Sequence, residues 1–102
     1  MFYEAKIGND GGEKSMDAEE VNITLQSNTD YSLKNVTSLM IIGAAVKCHG
    51  FISFGSSTPT ISISNIDHSS GDDITGAAAN EIWEFDCYPF DGKSYIIWSK
   101  KE

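Results

Sequence analysis

Glu81-Ile82-Trp83-Glu84-Phe85-Asp86-Cys87-Tyr88, followed by Pro89-Phe90-Asp91-Gly92-Lys93 and Ser94-Tyr95-Ile96-Ile97-Trp98-Ser99, is the stretch that sets the fold class. Successive side chains of a strand point to opposite faces, so Trp83, Phe85 and Cys87 fall on one side. Ile82, Glu84, Asp86 and Tyr88 fall on the other. Asp91-Gly92 suits positive backbone dihedrals, and Ser94–Ser99 returns as an antiparallel partner. A β-hairpin is therefore predicted at the end of the chain.

Working back from it, Thr60-Ile61-Ser62-Ile63-Ser64 and Val21-Asn22-Ile23-Thr24-Leu25 alternate in the same way, the latter placing Val21, Ile23 and Leu25 on one buried face. Phe2–Ile7 reads as a first strand ended by the turn signal Gly8-Asn9-Asp10-Gly11-Gly12, and Ser27-Asn28-Thr29-Asp30 as another turn. Phe51–Phe54 reads as a strand that pairs with Thr60–Ser64 in a hairpin. The apolar run Leu39–Val46 is expected to form a central strand, bulged at Gly43. Ser15 could cap a short helical turn through Met16–Glu20, and Ser69–Asp73 reads as a loop. No internal repeat stands out. The expectation is a mainly β protein: an antiparallel β-sandwich or open barrel of about 7–8 short strands with at most one short helix.

A chain of 102 residues fits one domain over residues 1–102, with 40% hydrophobic and 11% aromatic residues to fill a core. Fifteen acidic residues stand against seven lysines, and there is no arginine, for a formal net charge of -8. Arg is the residue that grips phosphates in a bidentate fork, so the composition argues against nucleic acid, nucleotides and anionic lipid as partners and toward a cationic one. The start of the chain, Met1–Lys6, lacks the pattern of a secretory signal, and Leu39–Val46 is too short to span a bilayer, so a cytoplasmic protein without membrane contact is expected. In that compartment Cys48 and Cys87 are expected to be reduced, buried thiols; the alternative is a bridge between them, which would close a long loop but which sequence spacing does not decide.

The search for chemistry returns no catalytic residue, no metal site and no cofactor motif. Cys48 and His49 are neighbours on a strand, so their side chains diverge and cannot form a nucleophile–base pair. Asp67-His68-Ser69-Ser70 holds the residue types of a hydrolase triad without a local signature such as Gly-x-Ser-x-Gly. Cys48, His49, His68 and Cys87 lack zinc spacing, and Asp72-Asp73 lacks the alternation of a calcium loop. Glu84 and Asp86 share a strand face, as two solvated acids do. An enzyme is not expected.

What remains is a surface. Asp72, Asp73, Glu81, Glu84 and Asp86 fall within fifteen residues free of Lys, beside Tyr88 and, on the paired strand, Tyr95. Acids that steer a cation and aromatics that anchor it make a partner-binding set. In length, negative charge, cytoplasmic character, lack of catalytic apparatus and the acidic stretch Asp72–Asp86, the chain resembles the small acidic immunity proteins of bacterial toxin systems, of the colicin or contact-dependent growth inhibition type. The resemblance is one of profile and not of motif. It implies a 1:1 complex in which the acidic face covers the active-site groove of a basic toxin nuclease domain. The alternative is a structural or assembly β module of a phage or secretion apparatus, with no inhibitory role.

Overall fold

The computed structural model describes residues 2–6, 12–17, 20–25, 29–44 and 46–102. It contains ten strands: β1 (Phe2–Lys6), β2 (Gly12–Asp17), β3 (Glu20–Thr24), β4 (Thr29–Val36), β5 (Ser38–Ile41), β6 (Cys48–Phe54), β7 (Thr60–Ile63), β8 (His68–Gly71), β9 (Ile82–Phe90) and β10 (Lys93–Lys100). A single 3-10 turn, Ile74–Gly76, lies between β8 and β9. The chain is mainly β, with two open sheets and one short helical element, as its patterning predicts.

The order of the strands shows how it is wound. One sheet runs β1-β3-β5-β7 and the other β2-β4-β6-β9-β10-β8, so from β1 to β8 the chain alternates between the sheets, and β9 and β10 then enter the six-stranded sheet as a hairpin. Phe2 lies beside Glu20, Glu20 beside Ser38 and Ser38 beside Thr60, all parallel. Each coil of this two-sheeted solenoid thus takes roughly 18 to 22 residues. Parallel neighbours need a long crossover, and here a strand of the facing sheet supplies it.

The pairing direction is therefore a correction to the antiparallel sandwich. Among the described residues, six of the eight pairings are parallel, and β6–β9 and β9–β10 are antiparallel. The corners explain the difference. Asp91 and Gly92 both have positive φ, of 53° and 74°, which reverses the chain in the plane of its sheet as a two-residue hairpin turn. Asn35, Gly43 and Asn65 take positive φ singly, and the chain passes at each into the opposite sheet. Stacked corners are bonded to one another: Leu25 N–H donates to Gly43 O at 3.0 Å, Ser64 N–H to Ile41 O at 2.8 Å and Asn65 Nδ2 to Ile42 O at 3.1 Å.

Other expectations shift with this winding. Phe51–Phe54 and Thr60–Ile63 do not form a hairpin, because β6 and β7 belong to different sheets. Leu39–Val46 is not one central strand: β5 ends at Ile41, Ile42 is 39% exposed, and Gly43 turns the corner. Ser15–Asp17 lie in β2 instead of a helical turn, and Ser69–Gly71 lie in β8 instead of a loop. The proposed turn residues 8–11 and 27–28 lie outside the described residues. A repeat does exist, since Val21, Leu39 and Ile61 are in register, as are Ile23, Ile41 and Ile63.

Between the sheets lies one core. Val21, Leu39 and Ile41 come from one sheet, and Leu33, Ile52, Trp83, Phe85, Ile96 and Trp98 from the other. Each such side chain contributes about 1.5–3 kcal/mol by leaving water. The terminal hairpin alternates as predicted: Trp83, Phe85 and Cys87 are buried, while Asp86 and Tyr88 are exposed. It does not lie at the edge of its sheet but between β6 and β8, with β8 parallel to β10. Two aspartates flank β8 and fasten it there. Ser94 N–H and Oγ–H donate to Asp67 Oδ2 at 2.8 and 3.1 Å, and Lys100 N–H donates to Asp72 Oδ2 at 2.9 Å.

Where β4, β6 and β9 meet, the inward position is Gly50, aligned with Tyr31 on one side and Phe85 on the other. A Cβ at Gly50 would stand 2.6 Å from the Phe85 ring and 2.8 Å from Tyr31 Cβ. The two aromatics occupy the space above the glycine, with ring centroids 6.2 Å apart. Gly50→Ala is accordingly expected to lower stability by about 1–3 kcal/mol, read as a lower denaturant midpoint with unchanged slope.

Candidate docking face

The pleat of the six-stranded sheet sends every second residue of β4, β6, β9, β10 and β8 outward, and register arranges them in rows. Tyr88 of β9 is opposite Tyr95 of β10, which is opposite His68 of β8. Tyr88 and Tyr95 stack with centroids 5.4 Å apart and planes 7° apart, and His68 stacks on Tyr95 at 4.6 Å. Phe90 meets Tyr95 edge-on at 6.3 Å. The next row runs Ile97, Asp86, His49, Asp30, and the one after it Ser99, Glu84, Phe51, Ser32.

Charge gathers in the middle of this face. His49 Nε2 meets Glu84 Oε2 at 2.6 Å, and His49 Nδ1 lies 3.9 Å from Asp30 Oδ1. The hydrogen bond from His49, followed by that from Lys101, holds the Glu84 carboxyl below the ordinary carboxylate range. His49, Glu84 and Asp86 each bring a potential ligand atom within 4.8 Å of the others. Glu84 Oε1 is also held by Lys101 Nζ at 3.0 Å, so the carboxylate is shared between an imidazole and an ammonium. Asp86 is exposed beside it.

Of the seven residues expected to bind a partner, the structure brings Glu84, Asp86, Tyr88 and Tyr95 together. The other three lie toward one end of the sheet and serve the fold. Asp73 caps the 3-10 turn by accepting from Thr75 N–H at 3.0 Å, and Asp72 holds Lys100 as described. Glu81 accepts from Ala78 N–H at 2.8 Å and Trp83 Nε1–H at 3.1 Å and pairs with Lys100 Nζ at 2.9 Å. Sequence reasoning missed Asp30, His49, Phe51, His68, Phe90 and Ile97. Alternation within β6 puts His49 and Phe51 on a common side, but the pairing of distant strands that assembles the face is not written in any local pattern.

Cys48 points into the core and His49 outward, as expected. Asp67 and His68 have separate occupations, one bonding Ser94 and the other stacking on Tyr95. Among the described residues, no helix is long and apolar enough to cross a membrane.

The chain matches no family model, no curated protein and no solved structure. Its face must be interpreted from its own chemistry. In the opposite sheet, the outward residues of β5 and β7 are Ser38, Met40, Thr60 and Ser62, small or unbranched side chains without charge. Among the described residues, four of the six exposed large apolar side chains, Phe51, Tyr88, Phe90 and Ile97, lie on the six-stranded sheet.

Glu81 yields a test of the scaffold beneath this face. The Ala78 N–H bond, with those from Lys100 and Trp83, lowers its carboxyl from 4.5 to about 2. Because the folded value lies below the unfolded one, its stabilising contribution is full above pH 4.5 and is lost as pH falls toward 2. Glu81→Gln should therefore be less stable than the native protein at neutral pH and should show a shallower loss of Tm across that window.

Proposed function

We propose that this chain is a non-catalytic binding protein whose six-stranded sheet docks a basic protein partner through its outer face. The observation that carries this is the concentration of stacked aromatics and carboxylates on the outer face of that sheet. Stacked rings present their edges and hydroxyls, because their faces cover one another; such edges suit the varied polar and apolar groups of a protein surface.

Size supports the same reading. Five strands at about 4.8 Å spacing, with β9 about 30 Å long, give a face of roughly 600 Å², near the ~800 Å² per partner of a standard interface. The net charge of -8 and the absence of Arg supply the complementarity that speeds encounter with a cation. In the immunity-protein reading, the partner is a toxin nuclease domain and the acidic face covers its active-site groove.

The test is capture of the partner at low salt, reconstitution of the pair from purified components, and measurement of association rate and nuclease activity. A basic protein bound 1:1 and silenced is the expected result. Asp30→Lys with Asp86→Lys should slow association by about tenfold at low salt, and Tyr88→Ala should speed dissociation. These positions avoid Glu84, whose reversal would place a lysine against His49 and Lys101. A chain that associates only with itself, or a complex indifferent to all three substitutions, would overturn the proposal and favour an assembly module.

A further inference from the structure

Cys48 and Cys87 stand directly opposite each other in the antiparallel β6–β9 pair, and both face inward as free thiols. Phe54 N–H donates to Glu81 O at 2.9 Å, which fixes the pairing phase. Counting back along β6 in steps of two places Cys48 and Cys87 in a hydrogen-bonded pair, whose Cα atoms are about 5.5 Å apart. That spacing lies within the Cα range of a disulfide, and the bond closes when the side chains, which stand farther apart in a hydrogen-bonded pair than in a non-hydrogen-bonded one, draw their Cβ atoms in to about 3.8 Å. An open groove of about 880 Å³ is lined by both cysteines together with Asp30, Lys47, His49, Asp86, Tyr88 and Pro89, so the buried pair borders the groove at the rim of the core.

We propose that Cys48 and Cys87 are a cross-linking site, closing a disulfide that ties the solenoid to its inserted hairpin. The hydrogen bond between the two thiols lowers Cys87 and, together with burial, raises Cys48. The same hydrogen bond stabilises a thiolate on one sulfur by donation from the other, and Cys87 takes the thiolate role in the exchange. With glutathione disulfide as oxidant, the Cys87 thiolate attacks one sulfur of the S–S bond and releases one glutathione thiolate. Cys48 then loses its proton to water, attacks the Cys87 sulfur and expels the second glutathione. Two protein thiols are oxidised and one glutathione disulfide is reduced to two thiols.

The cross-link joins residues far apart in sequence, so the oxidised chain loses much of its unfolded-state freedom. Incubation of the native protein with glutathione disulfide should remove two hydrogens from the intact mass. Cleavage at acidic residues should then yield peptides linked through Cys48 and Cys87, and Tm should rise by roughly 10 °C, reversibly on reduction. Two thiols still labelled by maleimide after denaturation, a stable glutathione adduct, or links only between chains would each overturn the proposal.

Discussion

The antiparallel contact between β6 and β9 is the constraint on which the rest depends, because it joins a parallel solenoid to a hairpin of opposite sense. Its register aligns Ile52 with Trp83, Gly50 with Phe85 and Cys48 with Cys87 on the core side. It sets Phe51 beside Glu84 and His49 beside Asp86 on the outside. A slip of one residue would turn Trp83 and Phe85 to water and drive Glu84 and Asp86 into the core, at a cost that no other part of the structure offsets. Gly50 fixes that register sterically, since only an absent side chain admits Tyr31 and Phe85 together.

From this seam the hairpin organises both faces of its sheet. Inward, Phe85 and Trp98 pack with ring centroids 5.4 Å apart at the centre of the core. Outward, the same two strands supply Glu84, Asp86, Tyr88, Tyr95 and Ile97. Insertion between β6 and β8 gives the outer residues neighbours on both sides, so Tyr95 stacks on His68 and Asp86 lies beside His49. An edge hairpin would carry the same side chains without that arrangement. The candidate docking face is thus a consequence of where the hairpin sits.

The hairpin was legible because two signals agree locally: period-two alternation over Ile82–Tyr88 and the Asp91-Gly92 turn. Grouping Glu84, Asp86, Tyr88 and Tyr95 followed from it. The solenoid was not legible in the same way, since its strands are short and each corner rests on one residue, Asn35, Gly43 or Asn65, whose conformation depends on the coil beside it. The recurrence of Val21-Asn22-Ile23, Leu39-Met40-Ile41 and Ile61-Ser62-Ile63 was its one trace, diluted by unequal spacing. Asp72, Asp73 and Glu81 were grouped with the face by proximity in sequence. Backbone amides at the sheet end claim them instead, which nothing but the fold could reveal.

The central claim is that function resides on the outer face of the six-stranded sheet, and a footprint of the reconstituted complex by amide and side-chain NMR tests it most directly. The account predicts shifts and broadening at His49, Phe51, His68, Tyr88, Tyr95 and Ile97, with Ser38, Met40, Thr60 and Ser62 unchanged. A footprint centred on the four-stranded sheet, with the Tyr88–Tyr95–His68 stack undisturbed, would contradict it.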